Sequence, residues 1–155
     1  MTAVGEFGRR LREVTAIVAV LVETARRQGA ALVSGDLAGI ESSRLVQEEL
    51  MARLDTAQSS CRAALVALKR SLGLPEEETM AGVITTRPEL AGPWRNLLDN
   101  LGQLREITVT NRLLATRAVS FYRKVTGIIQ PERQDTYAGS GRLRQTGASV
   151  ISRVV

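Results

Sequence analysis

Residues 93 to 129 read PWRNLLDNLGQLREITVTNRLLATRAVSFYRKVTGII. In steps of three and four this stretch yields Trp94, Leu97, Leu101, Leu104, Thr108, Asn111, Ala115, Ala118, Tyr122, Val125 and Ile129, an unbroken heptad seam. A second shelf of Leu98, Ile107, Leu114, Phe121 and Ile128 widens the stripe beyond what a two-stranded coil needs. The pattern predicts a helix that faces more than one neighbour and forms the spine of a bundle. At about 1.5 Å per residue it would run roughly 55 Å, so its packing partners must be comparably long.

Two other segments meet that requirement. A first helix is predicted from Glu6 to Val33, with Leu11, Val14, Val18, Leu21, Ala25 and Leu32 on one side and arginines on the other, Gly29 weakening its last turns. Ser34-Gly35-Asp36 then reads as a tight connection: Gly35 supplies the permissive backbone and Asp36 an N-cap oxygen. So short a link makes the first two helices an antiparallel hairpin. The second helix runs from Leu37 to Leu72, with Lys69 and Arg70 in the last turn, where cations suit the dipole, and Gly73 and Pro75 to stop it.

The connection from Pro75 to Gly92 is less regular. Glu76, Glu77 and Glu78 ahead of Met80, Val83 and Ile84 suggest a two-turn helix with acids at its positive end. Thr86-Arg87-Pro88-Glu89 has the form of a capping box, and Gly92-Pro93 places a proline at a second start. Either a single turn precedes the long helix, or that helix starts at Thr86 and kinks at Pro93. Beyond Gln130-Pro131 the segment Tyr137-Ala138-Gly139-Ser140-Gly141 is rich in glycine, and a weak helical stripe of Leu143, Gly147, Val150 and Val154, with Ile151 beside it, closes the chain. The expected fold is all-α: an elongated antiparallel bundle of three long helices with a short connecting helix, residues 1–130, and a weakly ordered C-terminal amphipathic tail, residues 131–155, in the same domain.

Composition supports this reading and narrows function. The 155 residues are 44% hydrophobic but only 3% aromatic, with 4 prolines, which favours helices over strands. With no histidine and a single cysteine the usual metal ligands and general bases are missing, so neither an enzyme nor a metal or other cofactor is expected. Cys61 falls on the second helix's apolar stripe and is read as a small buried thiol. Arg9, Arg10 and Arg12 before the run Val14 to Val22 imitate a signal peptide, but Glu13 and Glu23 bracket that run and no small-residue cleavage pattern follows. No stretch approaches the roughly 20 apolar residues of a membrane span. A cytoplasmic protein is expected.

The net charge of +5 is uneven, being concentrated from Pro93 onward. Arg105, Arg112 and Arg123 fall along one stripe of the long helix, which reads better as solvated arginines covering a flank than as a phosphate track, since few aromatics are present to stack on bases. Nucleic acid is therefore not the expected partner. Asn111 interrupts the seam at its midpoint, where a polar residue commonly fixes register.

The order of these features resembles the FlgN-type flagellar secretion chaperones. The resemblance is carried by Ser34-Gly35-Asp36-Leu37, by Asn111-Arg112-Leu113-Leu114 and by Asp135-Thr136-Tyr137-Ala138-Gly139-Ser140-Gly141, with their separations. Arg112 and Ala138 depart from it, each standing where the family often has glycine. It implies a cytosolic helical chaperone that keeps the hook-filament junction proteins FlgK and FlgL unassembled and delivers them to the flagellar export apparatus. It further implies substrate contacts at Leu143, Val150, Ile151 and Val154, and docking at the export gate through Tyr137. Two other readings remain open: a structural coiled-coil adaptor or self-assembling helical protein, and a basic nucleic-acid-associated bundle.

Overall fold

Thr2 turns its hydroxyl back to accept the Gly5 N–H at 3.1 Å, and helix α1 (Ala3–Ser34) begins there in the computed structural model, which describes residues 1–129. It ends at Gly35, whose φ of 72° lies in the left-handed region that only glycine enters cheaply, and the Asp36 N–H closes the turn on the Ala31 carbonyl at 2.9 Å. Asp36 then caps helix α2 (Leu37–Ser71), its carboxylate accepting the Gly39 N–H at 3.0 Å. The same left-handed device stops α2 at Gly73, where the Leu74 N–H reaches the Lys69 carbonyl at 2.9 Å.

The connection resolves the two alternatives. Helix α3 (Met80–Thr86) is capped by Thr79, whose hydroxyl accepts the Gly82 N–H, so the three glutamates precede the helix and do not form its first turn. A single 3₁₀ turn, Pro88–Leu90, leads directly into helix α4 (Ala91–Ile129). The capping box is not formed: the Thr86 hydroxyl donates to the Gly82 carbonyl, and Arg87, with no side-chain bond, stands at the N-cap. Every regular element among the described residues is helical.

The centre of the assembly is α1, which corrects the expectation that the 93–129 helix is the spine. Helix α1 packs along both α2 and α4, whereas the backbones of α2 and α4 stay apart and leave a groove between them floored by α1. Phe7, Leu11, Val14, Val18, Leu21 and Ala25 of α1 are all buried, Val18 completely. All but Ala25 meet Leu54, Leu68, Val83, Leu90 and Leu97 from the other elements in one cluster. Each such large side chain contributes about 1.5–3 kcal/mol. On α4 the seam is covered only in part: Leu97 is buried, but Leu101 and Tyr122 are exposed, as are Leu98 and Phe121 of the second shelf. The shelf finds no second neighbour among the described residues.

Directions follow from side-chain contacts. Gln47 of α2 bonds Gln28 of α1, consistent with an antiparallel hairpin about Gly35. Gly8 lies against Leu90, Arg26 bonds Gln103 at 3.0 Å and Ala25 meets Asn111, so α4 runs in the same direction as α1. The outer faces carry local ion pairs, Glu6 with Arg9 and Arg10, and Arg44 with Glu41 and Glu48. Hydrogen bonds from Arg9 and Arg10 hold the Glu6 carboxyl below the usual carboxylate range. Pairs so exposed contribute little to stability.

Candidate partner-binding surface

Along α4 the environment changes at Asn111. This residue is only 7% exposed, and its amide nitrogen donates to the Ala25 carbonyl at 2.7 Å. The same nitrogen lies 3.5 Å from Gln28 Oε1, which also accepts from Gln47 Nε2 at 3.1 Å. One polar layer thus joins all three long helices. No buried side-chain nitrogen or oxygen lacks a partner among the described residues, so the layer is satisfied, and a satisfied buried amide specifies its own alignment. Gly29 belongs to it as well: a Cβ there would sit 2.6 Å from Asn111 Oδ1, closer than real contacts allow, so the close approach requires glycine.

Beyond this layer α1 has five residues left and α4 eighteen. At 1.5 Å per residue α4 therefore outruns α1 by roughly 20 Å. Its inward face does not turn polar where the support ends. Ala115 and Ala118 continue into Phe121, Tyr122 and Val125, with Phe121 68% and Tyr122 54% exposed. Val33 and Leu37, at the tip of the hairpin, are likewise solvent-exposed. A large aromatic surface left in water on a helix that is packed further back marks a contact site more often than it marks a defect.

The charge on this overhang has one sign. From Ile107 to Ile129 the chain carries Arg112, Arg117, Arg123 and Lys124 and no acidic residue. All four are exposed, and none makes an ion pair with another described residue. Arg105, the other member of the predicted stripe, is exposed as well. The arginines lie on the flanks of the helix, as their spacing predicts; what periodicity missed is that the apolar stripe between them is uncovered.

Other chemistry-bearing groups offer less. Cys61 is half-buried between α1, α2 and α4, and burial pushes its thiol pKa up, with Arg10 opposing weakly, so the reactive thiolate is scarce near neutral pH. No group of three or more His, Cys, Asp or Glu side chains is placed to hold a metal among the described residues. No described helix is long and apolar enough to cross a membrane. Tyr137, Leu143, Val150, Ile151 and Val154 lie outside the described residues.

These features define an all-helical protein that holds one long helix half in its core and half in solvent. A family model described as FlgN protein matches residues 1–145. The chain belongs to the FlgN family, and its role is that of a flagellar export chaperone. Comparison with curated proteins and with solved structures gives no match.

Proposed function

We propose that this FlgN-family chain is a cytoplasmic chaperone that binds the hook-filament junction proteins FlgK and FlgL, prevents their premature assembly and hands them to the export gate. The observation that supports this reading most is the inward face of α4, which continues apolar past the end of α1. A chaperone for proteins whose ends assemble as coiled coils needs helical apolar surface that its own core does not consume. In this reading residues 1–130 form the three-helix bundle and Asn111 fixes its register. The tail from 131 onward, in the same domain, extends the contact surface through Leu143, Val150, Ile151 and Val154, and Tyr137 serves the handover.

Calorimetry of FlgK and FlgL against the full chain and against a chain truncated after Ile129 tests this. Truncation is expected to lower affinity at least about tenfold while leaving thermal unfolding nearly unchanged, because the described core lies upstream. The pair Val150→Asp and Val154→Asp is expected to act alike, since a charge on the contacting face is costly to desolvate. Tyr137→Ala is expected to spare binding and slow only export. Absence of binding by the full chain to either protein would refute the reading and favour a structural adaptor that pairs with other coiled coils.

A further inference from the structure

The overhang of α4 is an apolar stripe between basic flanks, and that combination selects its occupant. Three kinds of helix compete for such a stripe: the chain's own tail, a second copy of α4, and a helix from another protein. The tail carries Arg133, Arg142, Arg144 and Arg153 against Glu132 and Asp135, so it is basic. A second copy would set Arg112, Arg117, Arg123 and Lys124 against the same four side chains, with no acid between Ile107 and Ile129 to relieve them. Like charges at the flanks of a helix pair disfavour it, and opposite charges there set partner choice. We propose that the face of Ala118, Phe121, Tyr122 and Val125 docks an amphipathic helix of another protein whose apolar stripe is flanked by glutamate or aspartate.

Geometry supports a helix of defined reach. The overhang extends roughly 20 Å beyond α1, which matches about four turns of a partner at 5.4 Å each. Its floor is already aligned, because the Asn111 layer joins α4 to α1 just below it. The occupant therefore continues the packing that α1 supplies further down, taking the place α1 vacates. The basic flanks add attraction that decays over about 10 Å at 0.1 M salt, so docking is salt-sensitive while the apolar contact is not. This deepens the chaperone reading by naming the charge character of the recognised helix, and rests on it only in taking that helix to belong to an exported protein.

The probe is a fluorescein-labelled designed peptide of about three heptads with leucine at the a and d positions and glutamate at e and g, whose own charges keep it from self-pairing. Its fluorescence anisotropy is followed on titration with the full chain, beside a peptide with lysine replacing every glutamate. The glutamate peptide is expected to bind at least about tenfold more tightly at low salt, and the gap to shrink below about threefold at 0.5 M salt. Phe121→Ser with Tyr122→Ser is expected to abolish binding of both, with thermal unfolding unchanged because both side chains are exposed. Replacing Arg117, Arg123 and Lys124 by glutamine is expected to remove the preference and keep the residual affinity. Equal binding of the two peptides, or binding indifferent to Phe121 and Tyr122, overturns the proposal. So does a dimer in sedimentation equilibrium that Phe121→Ser dissolves, or a tenfold gain in peptide affinity on truncation after Ile129, which would reveal the tail as occupant. Binding of the designed peptide without binding of FlgK or FlgL would leave this inference standing and the named substrates refuted.

Discussion

Phe7→Ala is expected to lower the unfolding free energy by about 3–5 kcal/mol, whereas Phe121→Ala is expected to change it by less than about 0.5 kcal/mol. These are the only two phenylalanines in the chain, and both sit within long helices. Phe7 is 1% exposed in the cluster that α1 builds, so truncation removes the transfer energy of the ring and leaves a cavity. Phe121 is 68% exposed, and alanine, the better helix former, offsets what little contact it loses. Urea unfolding followed by circular dichroism reads both, with a shared slope confirming that the midpoints compare stability. Were α4 the spine, the two losses would be of similar size.

Gly29→Ala carries the second large effect, and its sign depends on residue 111. In the parent chain the new methyl group collides with Asn111 Oδ1 and drives the amide from its place on the Ala25 carbonyl, leaving a buried polar layer unsatisfied. Such a loss costs about 1–3 kcal/mol, against a helix gain of about 1 kcal/mol that alanine has over glycine, so the net change is a loss of up to about 2 kcal/mol. In an Asn111→Ala background the obstacle is gone and only the helix gain remains. The same substitution is then stabilising. A double-mutant cycle by denaturant unfolding should return a coupling of about 1–3 kcal/mol, the full cost of the lost layer; additive effects would show that the two positions do not share a layer.

Much of the secondary structure was legible because local signals carried it. Gly35 and Asp36 had to be a left-handed stop followed by an N-cap, Gly73 a second stop, and the apolar spacing had to be helical throughout. The capping box at Thr86 failed because the hydroxyl found a nearer acceptor in its own preceding turn. The central helix was misplaced for a different reason. Periodicity reveals that Trp94 to Ile129 has an apolar stripe, but not how much of that stripe is covered, and an uncovered contact surface has the same spacing as a core. A signal was present in composition: α1 adds Ile17 and Val22 beside its heptad stripe, a wider arc suited to two neighbours, while α4 carries Thr108, Asn111, Ala115 and Ala118 in mid-seam.

The buried polar layer was legible only in halves. Asn111 announced itself as a polar seam residue, but its counterparts Gln28 and Gln47 and the reason for Gly29 depend on which helices align, and a single sequence does not register one helix against another. The exposed stripe at Phe121 and Tyr122 was hidden by the same ambiguity. Its basic flanks were visible, and read alone they pointed only to a solvated face.

Hydrogen exchange along α4 of the full chain, measured alone and with FlgK or FlgL, tests most directly that this helix is core in its first half and partner surface in its second. An unsupported helix of about thirteen residues is marginal in water. Amides from Leu97 to Asn111 are therefore expected to be protected in both states, while those from Ala118 to Gly127 exchange quickly in the free chain and become protected by at least about tenfold on binding. Equal protection of the two halves in the free chain, or no change from Ala118 onward when both junction proteins are supplied in turn, would contradict the account.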